Sequence, residues 1–263
     1  NILKDLGEGV EINAAIAKHT EPLDKLETAF RAYAVAKAKA LAPELDWTKP
    51  DPETLRTGVE EFAKKHPKNF YLLVRQARRA LNDKDWEAVK APSKELIKLF
   101  PNQTRGDGNP YVMLARAQRE LEEYQAERQT LETLAAMADD AYPIFQRLTE
   151  LAAEQKDWEA VRLNCERVLA VNPLLPDTHR HLAMAAEALN DAPQAIESWQ
   201  TLLRLDPLDP AEANYRLARL LRESDNPKAK RYLLMALEEA PRFREALKLL
   251  LEWETTEEKL DEK

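Results

Sequence analysis

The chain has 263 residues, a formal net charge of −8, 33% charged residues, 5 glycines and 1 cysteine. Its acidic balance excludes a general nucleic-acid binder, which needs a basic domain, and no apolar run reaches the roughly 18 residues of a membrane-spanning helix. Scarce glycine points to long helices with few glycine turns, and the lone Cys165 excludes an internal disulfide while leaving the compartment open.

In chain order, Asn1 to Lys18 reads as a helical lead-in carrying Gly7 and Gly9. Leu23, Leu26, Phe30, Tyr33, Ala34 and Ala38 then recur at three- and four-residue steps, which predicts one long amphipathic helix with Thr20 as its N-cap. Pro43 and Pro50-Asp51-Pro52 break this pattern. From Glu53 to Pro67 a solitary helix is predicted, with Leu55, Val59, Phe62 and Ala63 on its stripe. It reads as the second half of a repeat without a first half, and the long helix before it is expected to dock as the substitute.

Beyond Pro67 the chain is periodic. A spacing of 34 residues separates Pro67 from Pro101, Tyr124 from Trp158, Pro173 from Pro207, Ala195 from Ala229 and Pro207 from Pro241. Laid over one another, residues 142–173 and 176–207 match Leu148 with Leu182, Ala152 with Ala186, Val161 with Ala195, Cys165 with Trp199 and Val168 with Leu202. Within each half the apolar residues fall on one helical stripe, so each unit is two amphipathic helices. Asn82-Asp83-Lys84-Asp85, Glu154-Gln155-Lys156-Asp157 and Leu189-Asn190-Asp191-Ala192 supply turns and N-caps between the halves. Prolines end the second helices because the ring lacks the amide proton and clashes with the preceding turn.

This pattern resembles the tetratricopeptide (TPR) family over roughly Asp51 to Trp253. Ala77, Trp86 and Pro101 carry it in one unit; Trp158 and Pro173 in another; Ala183, Ala195 and Pro207 in a third; Ala218, Ala229, Ala236 and Pro241 in a fourth. The unit 108–139 departs from it by lacking the closing proline, and the loop 101–110 is expanded. The resemblance implies an all-α, right-handed superhelix of about five helical hairpins. The expected organisation is an N-terminal helical lead-in over 1–50, a repeat array over 51–241, and a capping helix with a charged, frayed tail over 242–263. A repeat of this length cannot bury its apolar face alone, so neighbours stack and leave an extended concave surface.

Residues 9–33, from Gly9-Val10-Glu11-Ile12 through Ala29-Phe30-Arg31-Ala32-Tyr33, are similar to the closing segment of gluzincin-type (peptidase MA group) metallopeptidase domains. That resemblance implies a catalytic domain upstream in a longer polypeptide. The His-Glu-x-x-His motif itself is not in this chain.

Candidate chemistry is sparse. His179 and His181 are two residues apart, so on a helix they diverge and do not readily share a metal. Phosphate-binding glycine loops, zinc-type cysteine spacings and nucleophile elbows do not occur. The reading is therefore no catalytic residue, metal or cofactor. Cys165 sits on a buried stripe and reads as a small core residue. Arg105-Gly106-Asp107 copies the integrin-recognition tripeptide and Asn102-Gln103-Thr104 a glycosylation sequon, and turn chemistry accounts for both.

Family groove positions, carried over residue by residue, fall on Tyr71, Val74 and Arg78; Val112, Arg116 and Arg119; Gln146 and Glu150; Arg180, Met184 and Glu187; and Glu212, Tyr215, Arg219 and Arg222. The resemblance implies a non-catalytic protein- or peptide-binding scaffold, a region of a larger bacterial-type protein. Arg78, Arg116, Arg180 and Arg219 would orient acidic groups, since guanidinium pairs bidentately with carboxylate, while Tyr71, Met184 and Tyr215 would give apolar contact. The family's carboxylate clamp is not reproduced, because Val74 and Arg78 stand in its first two places. Pairing of these arginines with Glu150 or Glu187 is an equal alternative. Two other readings stay open: an accessory region docking on an upstream metallopeptidase domain, and an architectural or self-association module.

Overall fold

The computed structural model describes residues 1–106, 108–138 and 141–261. These form two compact units, Asn1–Glu127 and Arg128–Lys263, which are taken in turn.

In the first unit, α1 (Ile2–Gly7) and α2 (Ile12–His19) are separated by a turn in which Gly9 takes a φ of 84°. That left-handed backbone suits a residue without Cβ. Asp5, itself buried, ties the two helices by accepting from Lys18 Nζ at 2.8 Å and His19 Nε2 at 2.9 Å. The following helix, α3 (Leu23–Leu41), starts at Pro22 without a side-chain cap. Thr20 is not its N-cap, contrary to the sequence expectation: its amide still bonds the Ile16 carbonyl and its hydroxyl donates to that same oxygen at 2.7 Å, so it closes α2.

The expectation that α3 docks as a missing repeat half is also corrected. Phe30 is 68% and Tyr33 60% exposed. The adjoining core instead takes Ala42 and Leu45 from the irregular stretch after α3. The single helix expected over 53–67 is two, α4 (Pro52–Thr57) and α5 (Val59–Lys65), divided at Gly58. Glycine has the poorest helix propensity after proline, and here it serves as C-cap to one helix and N-cap to the next.

The hairpin of α6 (Phe70–Asn82) and α7 (Trp86–Leu99) follows, then α8 (Pro110–Glu120) and the first residues of α9 (Tyr124–Ala135), whose remainder counts with the second unit. Leu73, Ala77, Val89, Leu96 and Met113 interdigitate as the hairpin's core. The expanded loop is organised by Asn109, which caps α8 through the Tyr111 amide at 3.0 Å and donates to Thr104 O at 2.8 Å. Of the Arg105-Gly106-Asp107 string, Asp107 lies outside the described residues.

The second unit repeats one hairpin three times: α10 (Tyr142–Glu154) with α11 (Trp158–Val171), α12 (Pro176–Ala188) with α13 (Ala192–Arg204), and α14 (Ala211–Leu221) with α15 (Asn226–Glu239). Every matched pair quoted above, from Leu148/Leu182 to Val168/Leu202, is buried. Each second helix opens on an aspartate accepting from the amide three residues on: Asp157 from Ala160 at 3.3 Å, Asp191 from Gln194 at 3.2 Å and Asp225 from Lys228 at 3.2 Å. Asp85 does the same for α7 in the first unit, at 3.2 Å. These caps satisfy amide donors that a helix start leaves without an intrahelical partner.

The last helix, α16 (Arg244–Asp261), closes the array. Its Ala246 and Trp253 are buried against Ala218, Leu221 and Leu233, with Phe243 and Leu250 beside them. The frayed tail expected from Glu254 is corrected as far as Asp261, where the backbone stays helical; its Glu and Lys residues are good helix formers. Glu262 and Lys263 lie outside the described residues.

Candidate functional site

The face of α6 opposite the core carries Tyr71, Arg75, Arg78 and Asn82, with Val74 at its edge, still packed against the core; the five recur at the three- and four-residue steps of one helical side. Leu72, Leu73, Ala77 and Ala80 are buried. Against the outer face stands the irregular stretch 46–50. Asp46 and Asn69 form a parallel bridge, with the Phe70 amide on Asp46 O at 2.9 Å and the Asp46 amide on Lys68 O at 3.0 Å. Asn69, fully buried, caps α6 through the Leu72 amide at 3.1 Å and donates to Thr48 O at 2.7 Å. Asp46 is hydrogen-bonded by the Thr48 amide and paired with His66. The Thr48 amide and hydroxyl, then His66, hold the Asp46 carboxyl down to about 2. Trp47 packs on Phe70 at 4.9 Å between centroids and on Phe100 at 5.8 Å.

This network holds Lys49 and Pro50 opposite α6, and a cavity of about 520 Å³ lies between them. Pro50, Leu55, Phe70, Tyr71 and Val74 give it apolar walls; Lys49, Arg75, Arg78 and Arg79 supply positive charge, with Asn82 and Asp83 at one end. Its size is that of a small-ligand pocket. Arg79 reaches Asp83 at 3.6 Å, whereas Arg75, Arg78 and Lys49 pair with no acid among the described residues. The cavity therefore combines apolar walls with uncompensated cations. Of the groove positions named from the sequence, Tyr71, Val74 and Arg78 are brought together here. Lys49, Pro50, Leu55 and Arg75 were missed; Arg75 stands one turn before Arg79 on the same helix, and the first three lie in a segment whose prolines read only as a break.

The remaining positions are disposed otherwise. On α8, Val112 is 49% exposed, Arg116 sits over the Trp86 ring at 5.8 Å, and Arg119 donates to Glu127 Oε1 at 2.8 Å. Glu127 is fully buried, so Arg119 serves the interior of the fold. In the second unit Gln146 and Met184 are half-buried. Arg180 is tied to Glu212 of the next hairpin at 2.8 Å. Arg219 lies over Tyr215 at 5.8 Å and Arg222 over Trp253 at 5.5 Å. Glu150 and Glu187 do pair with arginines, but with Arg147 and Arg216; Glu187 also accepts from Trp199 Nε1 at 2.8 Å.

Cys165 is fully buried, and desolvation pushes its thiol up to about 12. A neutral thiol in that setting packs as a small apolar group. His179 Nε2 meets Pro173 O at 2.9 Å, and His181 Nδ1 meets Asp177 O at 2.8 Å, so the two rings serve different backbone carbonyls.

Antiparallel helix pairs with a recurrent turn, a recurrent aspartate cap and small residues buried at matched places define a TPR-like helical-repeat fold. Solved structures agree. YrrB, described as a TPR protein with an unusual peptide-binding site, superposes with a TM-score of 0.57 at 14% identity over 72% of this chain and 96% of its own. A MamA structure follows with a TM-score of 0.53 at 14% identity, over 66% of this chain and 92% of its own. MamA from Desulfovibrio magneticus RS-1, from residue 41 to its end, gives 0.50 at 18% identity, over 66% and 97%. At such identities the likeness is one of fold. No family model matches the chain, and no curated protein matches it.

Proposed function

We propose that the chain is a non-catalytic, TPR-type protein-interaction scaffold that holds a short peptide segment in the cavity on α6. The observation that carries this reading is the pairing of apolar walls with the uncompensated Lys49, Arg75 and Arg78. A segment placing an apolar side chain beside an Asp, a Glu or a terminal carboxylate meets both demands at once. Guanidinium groups bind carboxylate with two parallel hydrogen bonds, and the pre-formed walls lower the ordering cost of binding. The peptide-binding site described for YrrB, which shares the fold, supports the same class of ligand. Arg116 and the arginines of the second unit are secondary candidates, since stacking or pairing already occupies them.

The test is fluorescence anisotropy with a labelled peptide library in which Leu or Phe neighbours Asp or Glu, alongside the same library amidated to Asn and Gln. Acidic members should bind and lose affinity in rising salt, and Arg75→Glu with Arg78→Glu should weaken them at least about tenfold. Binding that survives both substitutions would move the site away from α6; binding by the neutral library alone would remove the acidic preference.

A further inference from the structure

We propose that α3 is a self-association helix, pairing two copies of the chain antiparallel about a two-fold axis at the level of Ala32. The helix is 19 residues long and, Leu23 apart, exposed at every position whose side chain is described. Apart from Val35, which is 47% exposed on the other side of the helix, its large apolar residues nevertheless occupy one stripe, where Leu26 is 37%, Phe30 68%, Tyr33 60% and Leu41 53% exposed. Contiguous apolar surface of this kind on a helix otherwise rich in charge marks an association face.

The order of residues along the stripe selects the occupant. An antiparallel two-fold at Ala32 sets each residue against the one equally far on the other side. Leu23 then meets Leu41, Leu26 meets Ala38, Phe30 meets Ala34, Tyr33 meets Arg31 and Glu27 meets Lys37 of the second copy. Leu26 and Phe30 thus face alanines where bulk would collide, Tyr33 faces a guanidinium, and on the stripe Glu27 faces the opposite charge of Lys37. A parallel pair would set Phe30 on Phe30 and Lys37 on Lys37, stacking like charges. Glu27 has no ion-pair partner among the described residues, and Lys37 rests on the Tyr33 ring at 5.6 Å, so both are placed to take an intermolecular partner. Such an interface is isologous, because each surface patch meets its own copy and the assembly closes at two. A helix of this length spans about 28 Å, so the contact is smaller than a standard protein interface and the dimer is a weak, reversible one.

Sedimentation velocity over a concentration series tests this on the whole chain, with circular dichroism confirming that each variant is folded. The parent should pass from monomer to dimer with rising concentration, and Phe30→Asp should hold it monomeric. Glu27→Lys and Lys37→Glu alone should each weaken the dimer about fivefold, while the double reversal should return it to within about twofold of the parent. A parent that is monomeric up to about 300 µM, a dimer indifferent to Phe30→Asp, or a double reversal no tighter than the singles would each overturn the proposal. Peptide binding on α6 is read separately by anisotropy, so failure of one reading does not carry the other.

Discussion

Lys84, Glu122, Lys156 and Asn190 hold φ values of 56°, 59°, 56° and 60° at the turns between paired helices. A side chain in the left-handed region brings Cβ close to the following carbonyl oxygen and costs roughly 1 kcal/mol, least for asparagine. The three larger residues therefore carry a strain that Asn190 largely avoids. Lys156→Gly should raise stability by about 0.5–1 kcal/mol in urea unfolding, since relief of strain exceeds the entropy glycine adds to the unfolded chain; an unchanged or lower midpoint would show that the lysine stem contributes packing. Asp46 is the acid whose titration matters most. Its carboxyl is held near 2 against an ordinary 3.8, so the stability it supplies is fully present above the unfolded value and is lost as pH falls through the folded one. Discounted for partial exposure, Asp46→Asn should cost about 1 kcal/mol at pH 7. The difference from the parent should shrink as pH falls below about 4 and vanish only below about pH 2, as read by thermal melts across that range.

At the level of elements, the aspartate that opens α7, α11, α13 and α15 is a repeated device, and Asp191→Ala should lower stability by about 1 kcal/mol. Hydrogen exchange should quicken first at the α13 N-terminus; uniform quickening across the second unit would assign Asp191 a wider role. These caps, the buried small-residue positions and the closing helix were legible in the sequence because each is local or strictly periodic. Asp191 precedes an apolar stripe, Ala195 repeats Val161 and Trp253 continues a three-to-four spacing. The wall of the α6 cavity was not legible. It depends on Asp46 meeting His66 and on Thr48 meeting Asn69, contacts between irregular segments about twenty residues apart, and no periodicity announces such pairings. Groove arginines were legible only as positions. Whether Arg78 stays unpaired while Arg180 meets Glu212 depends on which acid the next first helix presents, and that follows from stacking geometry rather than from either residue.

Across the whole chain, packing is divided among local clusters instead of one centre. Within the second unit, Trp199, Leu202, Ala183, Ala213 and Leu217 form one cluster, while Cys165, Val161, Ala152 and Leu182 form another nearer the start. In a repeat array the stability of each hairpin is set mainly by itself and its neighbours. Trp199 is the largest fully buried side chain among the described residues, and truncating it also leaves Glu187 without its indole donor. Trp199→Ala should cost about 3–5 kcal/mol, enough to make the damaged hairpin open on its own. Hydrogen exchange should then accelerate strongly in α12, α13 and α14, whose residues build the cluster. Acceleration should fade in α10, which reaches the damage only through the neighbouring cluster. Equal acceleration from α10 to α16 would instead mean that the second unit opens as one cooperative body, and a groove built on it would be lost whole rather than by parts.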